Sequence, residues 1–270
     1  MKAGSVRTKA LLIEMQEEQI YINIEGEAAV DIDYTTDNYY VTITDKGNVI
    51  TPYEKLEIEQ SFDFPIIRTI DQEKFLVAGS RVKNPGDNCF IYDDKGNILN
   101  KFFAGDGIQD IEVVKGKIIV SFFDEGVYGM RGPNNGGLVV FDQQGKIEFN
   151  FNENHGGQII SDCYCLCKHG PNRVLFFPYD SWTLTELDID NYEEKEYATP
   201  GVFAGSSALT STKDSVIFHS PYSDQRALLK WTIENNKVEK IGEYTEGIRG
   251  LKNGKFLSKG EKGFTIIDIG

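Results

Sequence analysis

The feature that most constrains this fold is a β-hairpin that recurs along the chain. In each copy an alternating apolar strand leads through a polar Asp/Gly turn into a second strand. The clearest copies are NYYVTITDKGNVI (38–50), NCFIYDDKGNIL (88–99) and GLVVFDQQGKIEF (137–149), whose turn glycines Gly47, Gly96 and Gly145 are 49 residues apart each time. Looser copies lie at 183–197 and 228–241, and GFTIIDIG begins a sixth. Strand repeats of about this length are typical of β-propellers.

A second strand pair precedes each complete hairpin, which gives every unit four strands. Examples are IIRTIDQEKFLVAG (66–79) and IQDIEVVKGKIIVSF (108–122), and ALLIEMQEEQIYINIE (10–25) is expected to supply the pair of the first unit. No segment has the periodicity of a long amphipathic helix. The sequence therefore predicts an all-β fold, a six-bladed β-propeller of four-stranded antiparallel blades that forms one domain over residues 1–270.

Closure of the ring depends on the last unit, which ends one strand short. We label the strands of a blade a to d from the centre of the ring outward. The sixth unit has strands a, b and c, and an open blade would leave a bare sheet edge. The N-terminal segment KAGSVRTK (2–9) is expected to supply the missing strand d and so to close the ring.

The net charge of the chain limits the classes of partner that it is expected to bind. The chain has 42 acidic and 28 basic side chains and a net charge of −14, so its surface repels nucleic-acid phosphates and anionic lipid. No apolar run approaches the ~18 residues of a membrane span, and the N-terminus does not resemble a signal peptide. These features predict a cytoplasmic protein that binds neither nucleic acid nor membrane.

Three cysteines alternate in DCYCLCKHG, namely Cys163, Cys165 and Cys167. On one strand such residues share a face, and side chains on a single extended strand cannot surround zinc as turn cysteines do. They are expected to be small buried thiols that fill the interface between two sheets.

The connections b–c and d–a of a propeller lie on one face, and here they are the longer loops. The longest are 123–137 and 153–162, and loops on a rigid scaffold are where binding residues concentrate. Aligning the blades places five side chains near the upper ends of the inner strands: Arg68, Asp110, Asp162, Ser207 and Arg249.

Three interpretations of this group are open. Asp110 and Asp162 can ligate a divalent cation such as calcium through oxygen. The arginines can instead grip a polar metabolite that carries a carboxylate. Finally, the charged groups can pair with one another around a water-filled channel.

The loops supply further candidate ligand-binding residues: Asp124, Glu125, Tyr128, Tyr179, Asp180 and His219. Tyr179, Trp182 and Tyr222 either form a platform on which a ligand stacks or cap the blade cores. Adjacent carboxylates such as Asp124 and Glu125 usually point apart, and no GxSxG nucleophile motif is present, so no catalytic residue is assigned.

Six blocks of the sequence together carry a resemblance to a known group: PIIRTIDQEKFLVAGSR, NCFIYDDKGNIL, GDGIQDIE, KIIVSFFDEGVYG, GLVVFDQQG and ISDCYCL. Over about residues 60–190 the chain resembles uncharacterised bacterial six-bladed propellers described as TolB-like or NHL-like. The resemblance implies the fold and no activity. Lactonase-like propellers bind calcium through a Glu, two Asn and an Asp, and here only Asp110 and Asp162 match such a set.

Two functions are therefore expected in order of preference. The first is a non-enzymatic binding module that receives a protein partner or a small polar ligand on the b–c and d–a face and at the channel mouth. The alternative is a metal-dependent hydrolase, similar to the lactonases, with a divalent cation at that mouth.

Overall fold

The computed structural model describes residues 15–22, 26–35, 39–156, 159–260 and 263–270. Their strands form six four-stranded antiparallel sheets, the blades of a propeller. Short turns connect strand a to strand b and strand c to strand d in blades 1–5, and the innermost strands of successive blades are neighbours around the centre. The predicted fold class is confirmed.

Each blade runs outward in chain order, except that the first strand of the chain belongs to the last blade. Blade 1 holds β2 (Ala29–Tyr34), β3 (Tyr40–Thr44), β4 (Asn48–Ile50) and β5 (Lys55–Glu57); blade 2 holds β6 (Pro65–Asp71), β7 (Lys74–Gly79), β8 (Cys89–Asp93) and β9 (Ile98–Phe102); blade 3 holds β10 (Ile108–Val114), β11 (Lys117–Phe122), β12 (Leu138–Phe141) and β13 (Ile147–Asn150). Blade 4 holds β14 (Cys165–His169), β15 (Arg173–Phe177), β16 (Leu184–Asp188) and β17 (Glu194–Tyr197); blade 5 holds β18 (Ala208–Ser211), β19 (Ser215–His219), β20 (Ala227–Thr232) and β21 (Lys237–Glu243); blade 6 holds β22 (Ile248–Gly250), β23 (Lys255–Gly260), β24 (Gly263–Asp268) and β1 (Gln16–Tyr21). Two one-turn helices, α1 (Asp124–Val127) and α2 (Phe151–Asn154), and two 3-10 turns, Pro133–Gly136 and Gly201–Phe203, lie in the connections.

The core lies between blades. The buried apolar residues of the described chain form six clusters, and each cluster draws its members from two neighbouring blades. Because both faces of a blade are covered, the middle strands read as continuous apolar runs, as in Ile118–Val120, which is fully buried. Each blade is thus stabilised by its two neighbours around a closed ring.

The ring is closed by the N-terminal side of the chain, as predicted, but by a different strand. β1 pairs antiparallel with β24, from Gln16 opposite Asp268 to Tyr21 opposite Gly263. The segment 2–9, which was expected to do this, lies outside the described residues. The strand that closes blade 6 had been assigned to the first unit.

The prediction for blade 1 is therefore wrong by one strand position. Its innermost strand is β2, and the hairpin at 38–50 forms strands b and c rather than c and d. The turn chemistry explains the error. The Gly47 N–H donates to the Thr44 carbonyl in a turn that fits any short antiparallel connection, so the pattern does not reveal the position of the hairpin in the blade.

The cysteines are buried and free of disulfides, but they do not share one face. Cys165 and Cys167 pack between blades 4 and 5, whereas Cys163 packs between blades 3 and 4. The reason is that β14 begins at Cys165, so strand alternation does not extend to Cys163. No helix in the described part of the chain has the length and apolar character needed to cross a membrane.

Candidate functional site

The b–c and d–a connections form what we call the upper face, and the a–b and c–d turns form the lower face. The upper face carries α1, α2 and both 3-10 turns. Its main loops are 80–88, 123–137, 151–164, 178–183, 198–207 and 220–226. The longer connections are on this face, as the sequence predicts.

The block GDGIQDIE together with FDEGVYG fixes α1 on this face. A Cβ at Gly126 would lie 2.4 Å from the Asp106 carbonyl oxygen, and one at Gly107 would lie 2.5 Å from the Gly126 Cα. The Asn134 side-chain amide donates to the Gly126 carbonyl at 2.6 Å and to that of Met130 at 2.8 Å. Backbone contact without a side chain thus holds the loop that presents Asp124 and Glu125.

The central channel is lined by charged residues of the inner strands. Arg68, which is buried, makes ion pairs with Asp31 at 2.6 Å and with Asp110, and its Nε donates to the Ile111 carbonyl at 2.7 Å. Burial lowers the pKa of Arg68, but the charges of Asp31 and Asp110 outweigh it and raise the pKa above its usual range. Each nitrogen of the guanidinium has at least one hydrogen-bond partner.

Deeper in the channel, a second group of ions surrounds Arg249. Its Nη2 lies 2.6 Å from Asp33, and its Nη1 lies 3.4 Å from Glu112, which is also 3.4 Å from Lys168 Nζ. Burial raises the pKa of Asp33, but Arg249 and Lys168 outweigh it and hold the pKa below its usual range. For Glu112 burial prevails over the same cations, and its pKa is raised.

These pairs fill the middle of the channel and leave an opening at each end. The upper mouth is a cavity of about 230 Å³ whose walls include Arg68, Asp110, Tyr164, Ser207 and Arg249. The lower mouth is smaller, about 80 Å³, and is bordered by Asp33, Glu112, Lys168, Arg249, Lys252 and Lys255.

The ion pairs agree with the third interpretation of Arg68, Asp110 and Arg249. Sequence reasoning missed Asp31, Asp33, Glu112 and Lys168. A signal was present, because AVDIDY and IQDIEVV carry acidic residues two apart in otherwise apolar strands. The prediction misses the first of these strands because it places blade 1 one strand out of phase.

Asp162 lies at the upper face, just before β14, and differs from the channel carboxylates. Its side chain is buried, with 6% of the residue exposed, yet its Oδ1 has no hydrogen-bond partner. Burial raises the pKa of Asp162 to about 6, a hydrogen bond from Tyr164 opposes this, and the charges of Asp124, Asp180 and Glu125 add to it. Asp162 is thus a buried acid that forms no salt bridge with the residues that the structure describes.

Four aromatic side chains lie in this part of the upper face: Tyr164 and Tyr222 interact with Asp162, the Tyr179 N–H donates to the Asp162 carbonyl, and Trp182 packs on Tyr179 and Tyr222. The rings of Tyr179 and Trp182 have centroids 4.8 Å apart, and those of Trp182 and Tyr222 are 5.9 Å apart. Tyr164, Tyr179 and Tyr222 are 37%, 45% and 62% exposed. We call Asp162 and these four residues, Tyr164, Tyr179, Trp182 and Tyr222, the Asp162 site. Tyr164 is shared with the upper mouth, whose cavity it also lines.

The remaining predicted residues lie at different depths. Asp124, Glu125, Tyr128 and Ser207 are exposed on the upper face, and Asp180 accepts a hydrogen bond from the Ser161 N–H at 2.7 Å. His219, expected on that face, is instead buried at the end of β19, with its Nε2 3.0 Å from the Tyr244 carbonyl oxygen. Burial lowers its pKa.

The two carboxylates proposed as metal ligands are not equivalent. Asp110 Oδ1 is engaged by Arg68 and by the Ile111 N–H at 2.8 Å, whereas Asp162 Oδ1 is unengaged. Among the residues the structure describes, no three His, Cys, Asp or Glu side chains are grouped to hold a metal ion. These residues do not fit a calcium site of the lactonase kind.

Comparison with solved structures finds β-propellers at low sequence identity. A catalytically inactive virginiamycin B lyase from Staphylococcus aureus with quinupristin has TM-score 0.52 and 12% identity, over 94% of this chain and 99% of that one. The Swd1 β-propeller domain from Myceliophteria thermophila has TM-score 0.57 and 10% identity, over 88% and 82%. YCF48 bound to a D1 peptide has TM-score 0.54 and 9% identity, over 94% and 81%. No family model and no curated protein sequence matches the chain. At these identities the likeness shows the propeller fold alone.

Proposed function

We propose that this protein is a binding module whose upper face and upper channel mouth receive a protein partner or a small polar ligand. The observation that supports this best is the Asp162 site, where a buried carboxylate oxygen without a partner lies among exposed aromatic rings. Buried polar atoms in folded proteins are nearly always hydrogen-bonded, so an unsatisfied one needs an explanation. A ligand that supplies the missing donor is that explanation.

The surroundings of Asp162 are those of a recognition surface. Tyrosine and tryptophan are enriched at interfaces because each offers a large apolar body and a polar tip. Tyr179, Trp182 and Tyr222 pack edge to face and so are held in place before a ligand arrives. Preorganised side chains lose little entropy on binding.

Among the solved neighbours, virginiamycin B lyase is an enzyme and YCF48 was captured with a peptide. The pairing of the channel ions favours the second kind of role here, because Asp110 and Glu112 already contact cations and are not offered to a substrate. The metal-dependent hydrolase stays the alternative. Its requirement is a stoichiometric divalent ion in the purified protein.

The nature of the partner follows from charge. A net charge of −14 disfavours nucleic acid and anionic membranes and favours a neutral or cationic partner. The four cysteines are free and buried, which suits the proposed cytoplasmic location.

Selection from an unbiased library of displayed peptides tests the proposal. Peptides enriched on the wild-type protein should be lost on Tyr222→Ala and retained on Asp94→Asn, a substitution in an exposed c–d turn of the lower face. No enrichment, or enrichment that Tyr222→Ala leaves unchanged, would overturn the proposal for a protein partner. Metal analysis of the same protein tests the alternative.

A further inference from the structure

We infer that the Asp162 site takes an alkylammonium group, the charged end of a lysine-like chain. The inference rests on the proposed function and names the chemistry of its ligand. The structure supports it by placing a buried carboxylate oxygen without a partner inside an unneutralised acidic group and beside three exposed tyrosines and a tryptophan.

The first argument is the missing counter-charge. Four carboxylates act on this region, Asp124, Glu125, Asp162 and Asp180. None of them forms a salt bridge with a Lys, Arg or His side chain within the described chain, whereas the channel acids Asp31, Asp33, Asp110 and Glu112 all do. Among the residues that the structure describes, the channel acids therefore have salt-bridge partners and these four carboxylates have none.

The second argument concerns the kind of cation. A guanidinium binds carboxylates through two parallel hydrogen bonds, and Asp162 has one unpartnered oxygen. A divalent metal needs several free oxygens, but Asp180 receives both the N–H and the hydroxyl of Ser161. An ammonium is a compact charge that one carboxylate oxygen can hold.

The third argument is the aromatic wall. Ring faces attract cations, and an ammonium within about 6 Å of a tyrosine or tryptophan ring is stabilised, most strongly when it is desolvated. The ring of Trp182 contacts the rings of both Tyr179 and Tyr222. Because Asp162 is buried and the rings are partly exposed, a ligand must reach inward past them with a slender apolar stem. A lysine-like chain has that shape.

Tryptophan fluorescence reports binding directly. The chain has two tryptophans, Trp182 in the site and Trp231, which is buried and donates its Nε1–H to Asn236 at 2.8 Å. The probes are Nα-acetyl-lysine methylamide, its Nε-trimethyl form, n-butylamine and the neutral isostere Nα-acetyl-norleucine methylamide. We expect a saturable change with the lysine probe, a weaker one with its trimethyl form, and none with norleucine. The trimethyl form keeps the charge but has no N–H to donate to Asp162, and butylamine distinguishes a free amine from a peptide-borne one.

Two matched variants complete the experiment. Asp162→Asn should weaken binding of the lysine probe at least about tenfold, and Asp94→Asn, which removes one charge from the lower face, should leave it unchanged. Trp182→Phe should abolish the signal, which locates it. Unfolding in urea checks that each variant is folded.

Equal binding of norleucine and lysine, or binding that Asp162→Asn does not weaken, would overturn the ammonium inference. A response to calcium in place of the amines would overturn it in favour of a metal. In either case peptides selected on the upper face and lost on Tyr222→Ala would keep the proposed binding function. If no such peptides are found while the lysine probe binds normally, the proposal of a protein partner is overturned. The site then binds small-molecule amines.

Discussion

Asp162 and Arg68 are both buried ionisable side chains, and they differ in whether the fold supplies a counter-charge. Arg68 has two carboxylate partners, whereas Asp162 forms no salt bridge within the described chain and feels the charges of Asp124, Asp180 and Glu125. Ionising Asp162 is therefore harder in the folded protein, where its pKa is about 6, than in the unfolded chain, where it is 3.8. This group favours folding below about pH 4, and that advantage is lost as the pH rises through about 6.

We predict that Asp162→Asn stabilises the protein at neutral and alkaline pH. Asparagine keeps the shape and carries no charge, so the free energy of unfolding should rise by about 1–2 kcal/mol at about pH 8 and change little at about pH 4. Urea unfolding at the two pH values measures it. Asp94→Asn, an exposed position, should change neither value by more than about 0.5 kcal/mol. Equal effects at both pH values would contradict the prediction. Stability that increases when a candidate site residue is removed is typical of a residue kept for binding.

For substitution of Arg68 we predict the opposite effect, a loss of stability. Arg68→Met removes the cation from between Asp31 and Asp110 and leaves two carboxylates unpaired in the channel. Breaking a buried pair in this way costs about 3–5 kcal/mol, and we expect the lower end because Asp31 is partly exposed. Urea unfolding measures the loss, and Arg131→Met, at an exposed loop position, is the control. A loss below about 1 kcal/mol would mean that solvent or ions replace the guanidinium.

The sequence repeat predicts strands correctly where their position depends on local patterning. It does not predict which strands pair when the partners are far apart in the chain. Alternation and turns identified the strands of blades 2–5, because each of these blades is a continuous stretch of chain. β1 and β24 are separated by most of the sequence, and nothing local to QEEQIY indicates its partner. The same reason explains the error in blade 1, where the hairpin at 38–50 fits the sequence pattern of two different positions.

The pairing of β1 with β24 makes a prediction at Gly263. This residue has φ +152°, and a Cβ there would lie 2.1 Å from the Ile20 carbonyl oxygen, so the two strands approach closely only because it is glycine. Gly263→Ala should lower the free energy of unfolding by about 1–3 kcal/mol. Hydrogen exchange should also show loss of amide protection across Gln16–Tyr21.

The control for this substitution is Gly247→Ala. A Cβ at Gly247 meets nothing within 4 Å and its backbone is not in the left-handed region, so stability should hardly change. If Gly263→Ala behaved in the same way, or if protection were lost elsewhere and not in β1, the closure of the ring by this strand would be wrong.

At the scale of the molecule, the candidate site exists because the ring brings loops from several blades together. Asp124, Asp162, Asp180 and Tyr222 come from the b–c loops of three successive blades and one d–a connection, and only the arrangement of the blades brings them together. The sequence placed these loops on one face, because that follows from the order of strands. It did not indicate that Asp162 is buried without a partner while Asp110 is paired, since the partners lie on other blades.

The net charge of −14 gives a last prediction for the whole protein. Like charges on a compact acidic surface repel one another, and the repulsion is weaker in the expanded unfolded chain. Salt screens exposed charges more than the buried channel pairs, so raising NaCl from about 20 mM to about 300 mM should increase the free energy of unfolding by about 1 kcal/mol. Urea unfolding at the two salt concentrations measures this.

The variant Glu54→Gln/Glu57→Gln/Glu59→Gln, at three exposed positions, should respond less because part of the repulsion is gone. Stability that instead fell with salt would mean that attractive surface ion pairs, such as Lys240 with Asp224, outweigh the repulsion.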